Sequence, residues 1–191
     1  MKKIMKTNEV IETLKTRRST RSYSSQQVSG EDLETILDAA TYAPNGMDAQ
    51  TWHFTAVHNA DKLKELNEWM KGAFAKSDDP ELRKQGKGAS FCCYYHAPIL
   101  VIVSNEPEED WAGQDCATAL QSIFLAARSL GIDSCWINQP ALTCDDAEVR
   151  AYLTSLGVPK SHKVYGCAAL GYGNTPLNKK KPKEGTITIV E

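Results

Sequence analysis

The segment TRRSTRSY, residues 16–23, sets Arg17, Arg18 and Arg21 among the hydroxyls of Thr16, Ser19, Thr20 and Ser22. Guanidinium groups bind phosphate through planar bidentate hydrogen bonds, and neighbouring hydroxyls supplement them, so this is anion-binding chemistry. The same residues also read as the last turn of a helix, whose cations complement the helix dipole. A second stretch, APNGMDAQTW at 43–52, packs Asn45, Asp48 and Gln50 behind Pro44. Amide side chains both donate and accept, which suits a heterocycle edge of alternating N–H and C=O groups. A plain turn, with Asn45-Gly46 supplying a left-handed backbone, accounts for those two residues but not for Asp48 and Gln50. A third stretch, GYGNTP at 171–176, runs into Lys179, Lys180 and Lys181, a second source of positive charge. GYG opens like a dinucleotide-binding glycine loop, but there is no third glycine, and Pro176 and Pro182 deny the helix that must follow.

Other chemistries lack their residues. The chain has no GxxxxGK[ST] loop, no GxSxG elbow and no HExxH, and its four histidines are scattered. Of its six cysteines, Cys135 and Cys167 lie in apolar, strand-like stretches and read as small core residues. A metal site from Cys92, Cys93 and His96 lacks a second ligand pair. Structural, reduced thiols point to a reducing compartment. At 191 residues, 41% apolar and 24% charged, the chain suits one globular domain spanning 1–191. A net charge of −2 and a pI near 6.1 give no field for nucleic acid. The N-terminus has no apolar signal core, and the run PILVIV is too short to span a bilayer, so a cytoplasmic protein without membrane contact is expected.

The elements that must position these residues follow from periodicity. TNEVIETLK, capped by Thr7 or Asn8, and the segment from Ser29 to Pro44 read as helices. Residues 51–57 read as a strand, 61–76 as a helix, and 77–95 as a mixed region. PILVIV reads as a central strand covered on both faces. Residues 113–131 form a helix apolar on most sides and hence buried. Strands over 132–137 and 163–173 flank a helix over 145–157, and GTITIV closes the chain with strand alternation. The order predicts an α/β or α+β sandwich with helices on both faces of the sheet. NKKKPKE precludes a helical crossover before the last strand, which therefore pairs at a sheet edge of its own chain or a partner's.

RRSTR, APNGMDAQTW, LGIDSCWI and LGYGNTPLNKKK, in that order across roughly residues 8–190, resemble the flavin-dependent nitroreductase family. The resemblance implies an α+β fold with a central, mostly antiparallel sheet and a C-terminal strand exchanged in a homodimer. It implies FMN at the subunit interface, with NADH or NADPH as electron donor. Arg17, Arg18, Ser19 and Arg21 would hold the phosphate–ribityl chain and the pyrimidine end of the ring, with Lys179 and Lys181 adding charge at the phosphate. Pro44, Asn45, Asp48 and Gln50 would lie in the loop that reaches the partner's flavin. Ile137, Asn138 and Gln139 would place backbone near the central ring. The chain departs from the family pattern at Asp48 (for Asn), Thr51 (for Pro) and Lys181 (for Arg).

The activity so implied is ping-pong hydride transfer through flavin N5 to a nitroaromatic, a quinone or a similar small acceptor. Arg21 would tune the ring, and no side chain is needed as hydride donor. Phe74, Phe91, Tyr94 and Tyr95 are candidates to line the open ring face, or equally to pack in the core. A non-catalytic FMN store or sensor, and a phosphate or nucleic-acid binder using the arginines and lysines, are the alternatives.

Overall fold

The computed structural model describes residues 6–177 and 187–190. Helix α1 spans Glu9–Thr16, and Asn8 caps it by accepting from the Ile11 N–H at 2.9 Å. Helix α2 spans Gly30–Thr41; Ser29 Oγ accepts from the Asp32 N–H at 3.0 Å and donates to Asp32 Oδ2 at 2.7 Å. The shorter Asp thus meets the capping hydroxyl, where a Glu would reach back to the backbone N–H. Strand β1 (His53–Val57) leads into α3 (Ala60–Ala75), and β2 covers Ile99–Asn105. Helix α5 (Ala112–Ser129) is followed by β3 (Asp133–Ile137), α7 (Ala147–Ser155) and β4 (Lys163–Gly171).

Two helices stand where periodicity gives no signal. Helix α4 (Pro80–Lys87) is specified by the Asp79 cap and Pro80 in its first turn, and it has almost no apolar stripe. Helix α6 (Gln139–Thr143) is too short for a repeat to show.

The strands form one antiparallel sheet in the order β1-β2-β4-β3. Its pleat explains the unbroken apolar run of β2. Ile99, Val101 and Val103 face a core built with Ile36 and Ala40 of α2 and Leu120, Ile123 and Ala127 of α5. Leu100 and Ile102 face the opposite core, where Leu63, Leu66 and Met70 of α3 meet Val149 and Leu153 of α7. Helices therefore cover both faces, and α5 is buried along its length as its sequence predicts. Among the described residues no helix is long and apolar enough to cross a membrane.

Among the described residues the closing strand is not formed. Residues 187–190 carry no strand pairing, and Ile187, Ile189 and Val190 are 77–91% exposed. Alternation alone makes no strand; a ladder needs a neighbour to supply its hydrogen bonds.

Candidate active site

Helix α1 ends at Thr16, and Arg17 leaves it with φ −59° and ψ 135°. Arg18 Nη1 donates to the carbonyls of Lys15 at 2.7 Å and Arg17 at 2.5 Å, satisfying a helix end that has no intrahelical partner. Beyond it the chain is extended and runs along the free edge of β3. Ser19 pairs parallel with Ser134, and the Thr20 N–H donates to Ser134 O at 2.9 Å. Farther on, Tyr23 pairs with Gly173, the Ser24 N–H donates to Tyr172 O at 2.8 Å, and Asn174 Nδ2 donates to Tyr23 O at 2.7 Å.

The first and third stretches picked out by sequence are thus hydrogen-bonded to each other. The glycines of GYG serve that contact. A Cβ on Gly171 would meet Pro98 Cδ at 2.6 Å, and one on Gly173 would meet Asp133 Oδ2 at 2.5 Å and Thr20 Cγ2 at 3.0 Å. Asp133 Oδ2 accepts from the Gly173 N–H at 3.1 Å, and Asp133 Oδ1 lies 3.7 Å from Arg128 Nη1.

Arg17 and Arg21 are held by aromatic faces. The Arg17 guanidinium carbon lies 5.9 Å from the Phe124 ring centroid, and that of Arg21 lies 5.9 Å from the Tyr95 centroid. Among the described residues neither forms an ion pair with a carboxylate. Burial pushes the Cys135 thiol up, while Arg21, a hydrogen bond from Ser19 and Arg17 pull it down, so both cations act on this residue in the middle of β3. The buried hydroxyls of Thr20 and Ser134 have no hydrogen-bond partner among the described residues, which leaves polar capacity in this wall unused.

A cleft of about 490 Å³ opens beside Arg21, lined also by Ser22, Phe91, Cys92, Tyr95 and His96. Its size falls in the range of small-molecule sites, roughly 300–1,000 Å³. Ile137 closes β3, and Asn138 and Gln139 lead into α6. Ile137 is buried, leaving its backbone as the available contact, whereas Asn138 is exposed and makes no side-chain cap bond.

The second stretch lies elsewhere. The Gly46 N–H donates to Asp115 Oδ1 at 3.0 Å, and Thr118 Oγ1 donates to Pro44 O at 2.9 Å, so the loop sits against the start of α5. Arg17 stacks on Phe124, farther along the same helix by a rise of about 13 Å from Asp115. One chain therefore does not bring Asp48 and Gln50 to the arginine wall.

The loop's backbone corrects the plain-turn expectation. Asn45 is extended at φ −146°, and the left-handed residues are Met47, Asp48 and Gln50, at 53°, 54° and 50°. Gly46 is needed because a Cβ there would meet the Trp111 ring at 2.4 Å. Asn45 Oδ1 accepts from the Gln50 N–H at 3.0 Å, and Gln50 Nε2 donates to Asp48 Oδ1 at 2.9 Å.

Of the four aromatic candidates, Phe74 and Tyr94 are core residues, while Phe91 and Tyr95 line the cleft. Ser22, Cys92 and His96 were not legible as lining residues. They come from a segment without periodicity and from an arginine-rich stretch in which Ser22 does not stand out. Lys179 and Lys181 lie outside the described residues.

An antiparallel sheet between two helical layers, with a cleft lined by Arg21, Ser22, Phe91 and Tyr95 at its side, makes this an α+β protein with a small-molecule-sized site. The chain belongs to the Nitroreductase family, whose model matches residues 14–172. A nitroreductase with bound FMN from Bacteroides fragilis NCTC 9343 is 65% identical with a TM-score of 0.95, covering 97% of this chain and 100% of its own. A second nitroreductase with bound FMN, from Desulfitobacterium hafniense DCB-2, is 28% identical with a TM-score of 0.87 over 97% and 100%. A relative from Archaeoglobus fulgidus, provisionally named an NADH dehydrogenase/NAD(P)H nitroreductase, is 35% identical over 86% of this chain and 85% of its own length.

Proposed function

We propose that the protein is an FMN-dependent oxidoreductase of the nitroreductase type, working as a homodimer with NADH or NADPH as donor. The observation that carries this reading is the pair Arg17 and Arg21, held on aromatic faces with no carboxylate partner among the described residues, together with the exposed hydroxyl of Ser19. A phosphomonoester matches that donor set, since guanidinium forks and hydroxyls give charge-assisted hydrogen bonds to its oxygens. The FMN bound to the two similar nitroreductases supports the same ligand here.

Bound FMN would supply the redox chemistry, a two-electron transfer from the nicotinamide donor to a nitroaromatic, a quinone or a similar acceptor. Arg17 and Ser19 bind the phosphate, with Arg18 behind them fixing the helix end and Lys179 and Lys181 adding charge. Arg21 stabilises the negative charge that builds at N1/O2 of the ring, by electrostatic preorganisation. Backbone at Ile137, Asn138 and Gln139 borders the central ring.

The loop with Pro44, Asn45, Asp48 and Gln50 serves the partner's site, which accounts for its distance from the arginines of its own chain. The exposed Val10, Leu14, Ile187, Ile189 and Val190 give the dimer an apolar surface, and the last segment pairs as a strand on the partner.

The test is the purified protein itself. It is expected to be yellow, to release FMN on heat denaturation, and to sediment as two chains. A colourless protein with salt-dependent polyanion affinity would overturn the reading.

A further inference from the structure

Tyr95 and His96 are consecutive non-glycine residues in the left-handed region, with φ of 54° and 56°. Such backbone is costly and persists only where its surroundings hold it. Here they do. The Tyr95 N–H donates to Cys92 O at 3.3 Å, the His96 N–H to Cys92 Sγ at 3.3 Å, and the Ala97 N–H to Tyr94 O at 3.1 Å. Asn67 of α3 clamps the turn from below: its Oδ1 accepts from the Cys93 N–H at 2.9 Å, and its Nδ2 donates to Phe91 O at 3.2 Å. The outcome is a division of neighbouring rings. Tyr94 goes into the core, and Tyr95 lines the cleft with Arg21 across its ring face at 5.9 Å. Arg21 is exposed and has no carboxylate partner among the described residues, and its guanidinium lies against the Tyr95 ring.

We propose that Tyr95 is a positioning residue for Arg21, and that the strained turn exists to hold its ring under that guanidinium. The inference rests on FMN as the ligand of this site. A cation fixed before charge builds on the ring stabilises that charge without reorganising. Loss of the Tyr95 ring therefore weakens binding of reduced FMN more than of oxidised FMN.

The test compares Tyr95→Phe, Tyr95→Leu and Tyr95→Asn, alone and with Arg21→Ala, reading FMN affinity on flavin-free protein and the midpoint potential of the bound flavin. Tyr95→Phe keeps the ring and should match wild type. Tyr95→Leu should shift the ratio of affinities for reduced and oxidised FMN by about fivefold, the scale of a cation–π contact. That ratio corresponds to a potential lower by about 20 mV for a two-electron couple. Tyr95→Asn removes the ring but suits a left-handed backbone, so it should give the same shift in a protein that folds at least as well. Combined with Arg21→Ala, neither substitution should shift the potential further. A shift of equal size with Arg21 already removed, or none in Tyr95→Leu and Tyr95→Asn, overturns the proposal while leaving FMN binding intact. A wild-type protein that takes up no FMN overturns the function proposed above and this inference with it.

Discussion

Arg18 commits its guanidinium to the carbonyls of Lys15 and Arg17, whereas Arg17 lies over Phe124 and Arg21 over Tyr95. Arg18 therefore serves the helix end, and the anion-binding role in the proposed site falls to Arg17 and Arg21. This separates two substitutions that sequence alone treats as one. Arg17→Ala should weaken FMN binding by roughly 10- to 100-fold, the scale of a lost charge-assisted hydrogen bond, and barely move the melting temperature. Arg18→Ala should lower the melting temperature by a few degrees, as expected for about 1 kcal/mol at a helix end. Flavin titration and thermal melts check both, and the reverse pattern would contradict the assignment. At this scale residue types were legible, since guanidinium and hydroxyl chemistry is independent of fold. Which arginine turns which way depends on Phe124 and Tyr95, which are distant in sequence and carry no local signal.

Secondary elements with a strong period were readable: α1, α2, α5 and β2 lie where apolar spacing and caps put them. Helix α4 was not, because a polar helix is specified by its cap and its seat against α3, and Gly86 gives only an indirect hint. A Cβ there would meet Ala75 N at 2.3 Å. A site between β2 and the loop before β4 adds a test of packing. His162 Nδ1 lies 3.2 Å from the buried Ser104 Oγ, its Nε2 lies 3.4 Å from Glu106 Oε1, and the His53 ring stands edge-on at 6.2 Å. Burial holds His162 below its ordinary value of 6.5, outweighing the upward pull of Glu106. As pH falls through 6.5 the unfolded chain takes up this proton first, so stability should drop until the folded-state histidine titrates. Melting temperatures of wild type and His162→Gln, compared from pH 7.5 to 5, should diverge below pH 6.5, with the wild type losing more. Parallel curves would contradict the shift.

Over the whole molecule, four motifs in order made the family legible, while the way they assemble was not. RRSTR, the start of β3 and GYGNT meet in one wall, whereas the loop with Asp48 and Gln50 sits against the start of α5. Periodicity and composition carry no sign of that separation; only the family resemblance, which puts this loop at a partner's site, anticipates it. The same holds for the last residues, whose alternation fits a strand only once an edge is supplied. In the proposed function one flavin site handles donor and acceptor in turn, which an anaerobic alternating titration can follow. One equivalent of NADH or NADPH should bleach the flavin absorbance, and one equivalent of a benzoquinone or nitroaromatic should then restore it. Flavin that neither nucleotide bleaches, or bleached flavin that no acceptor reoxidises, would rule out this shared use of the site.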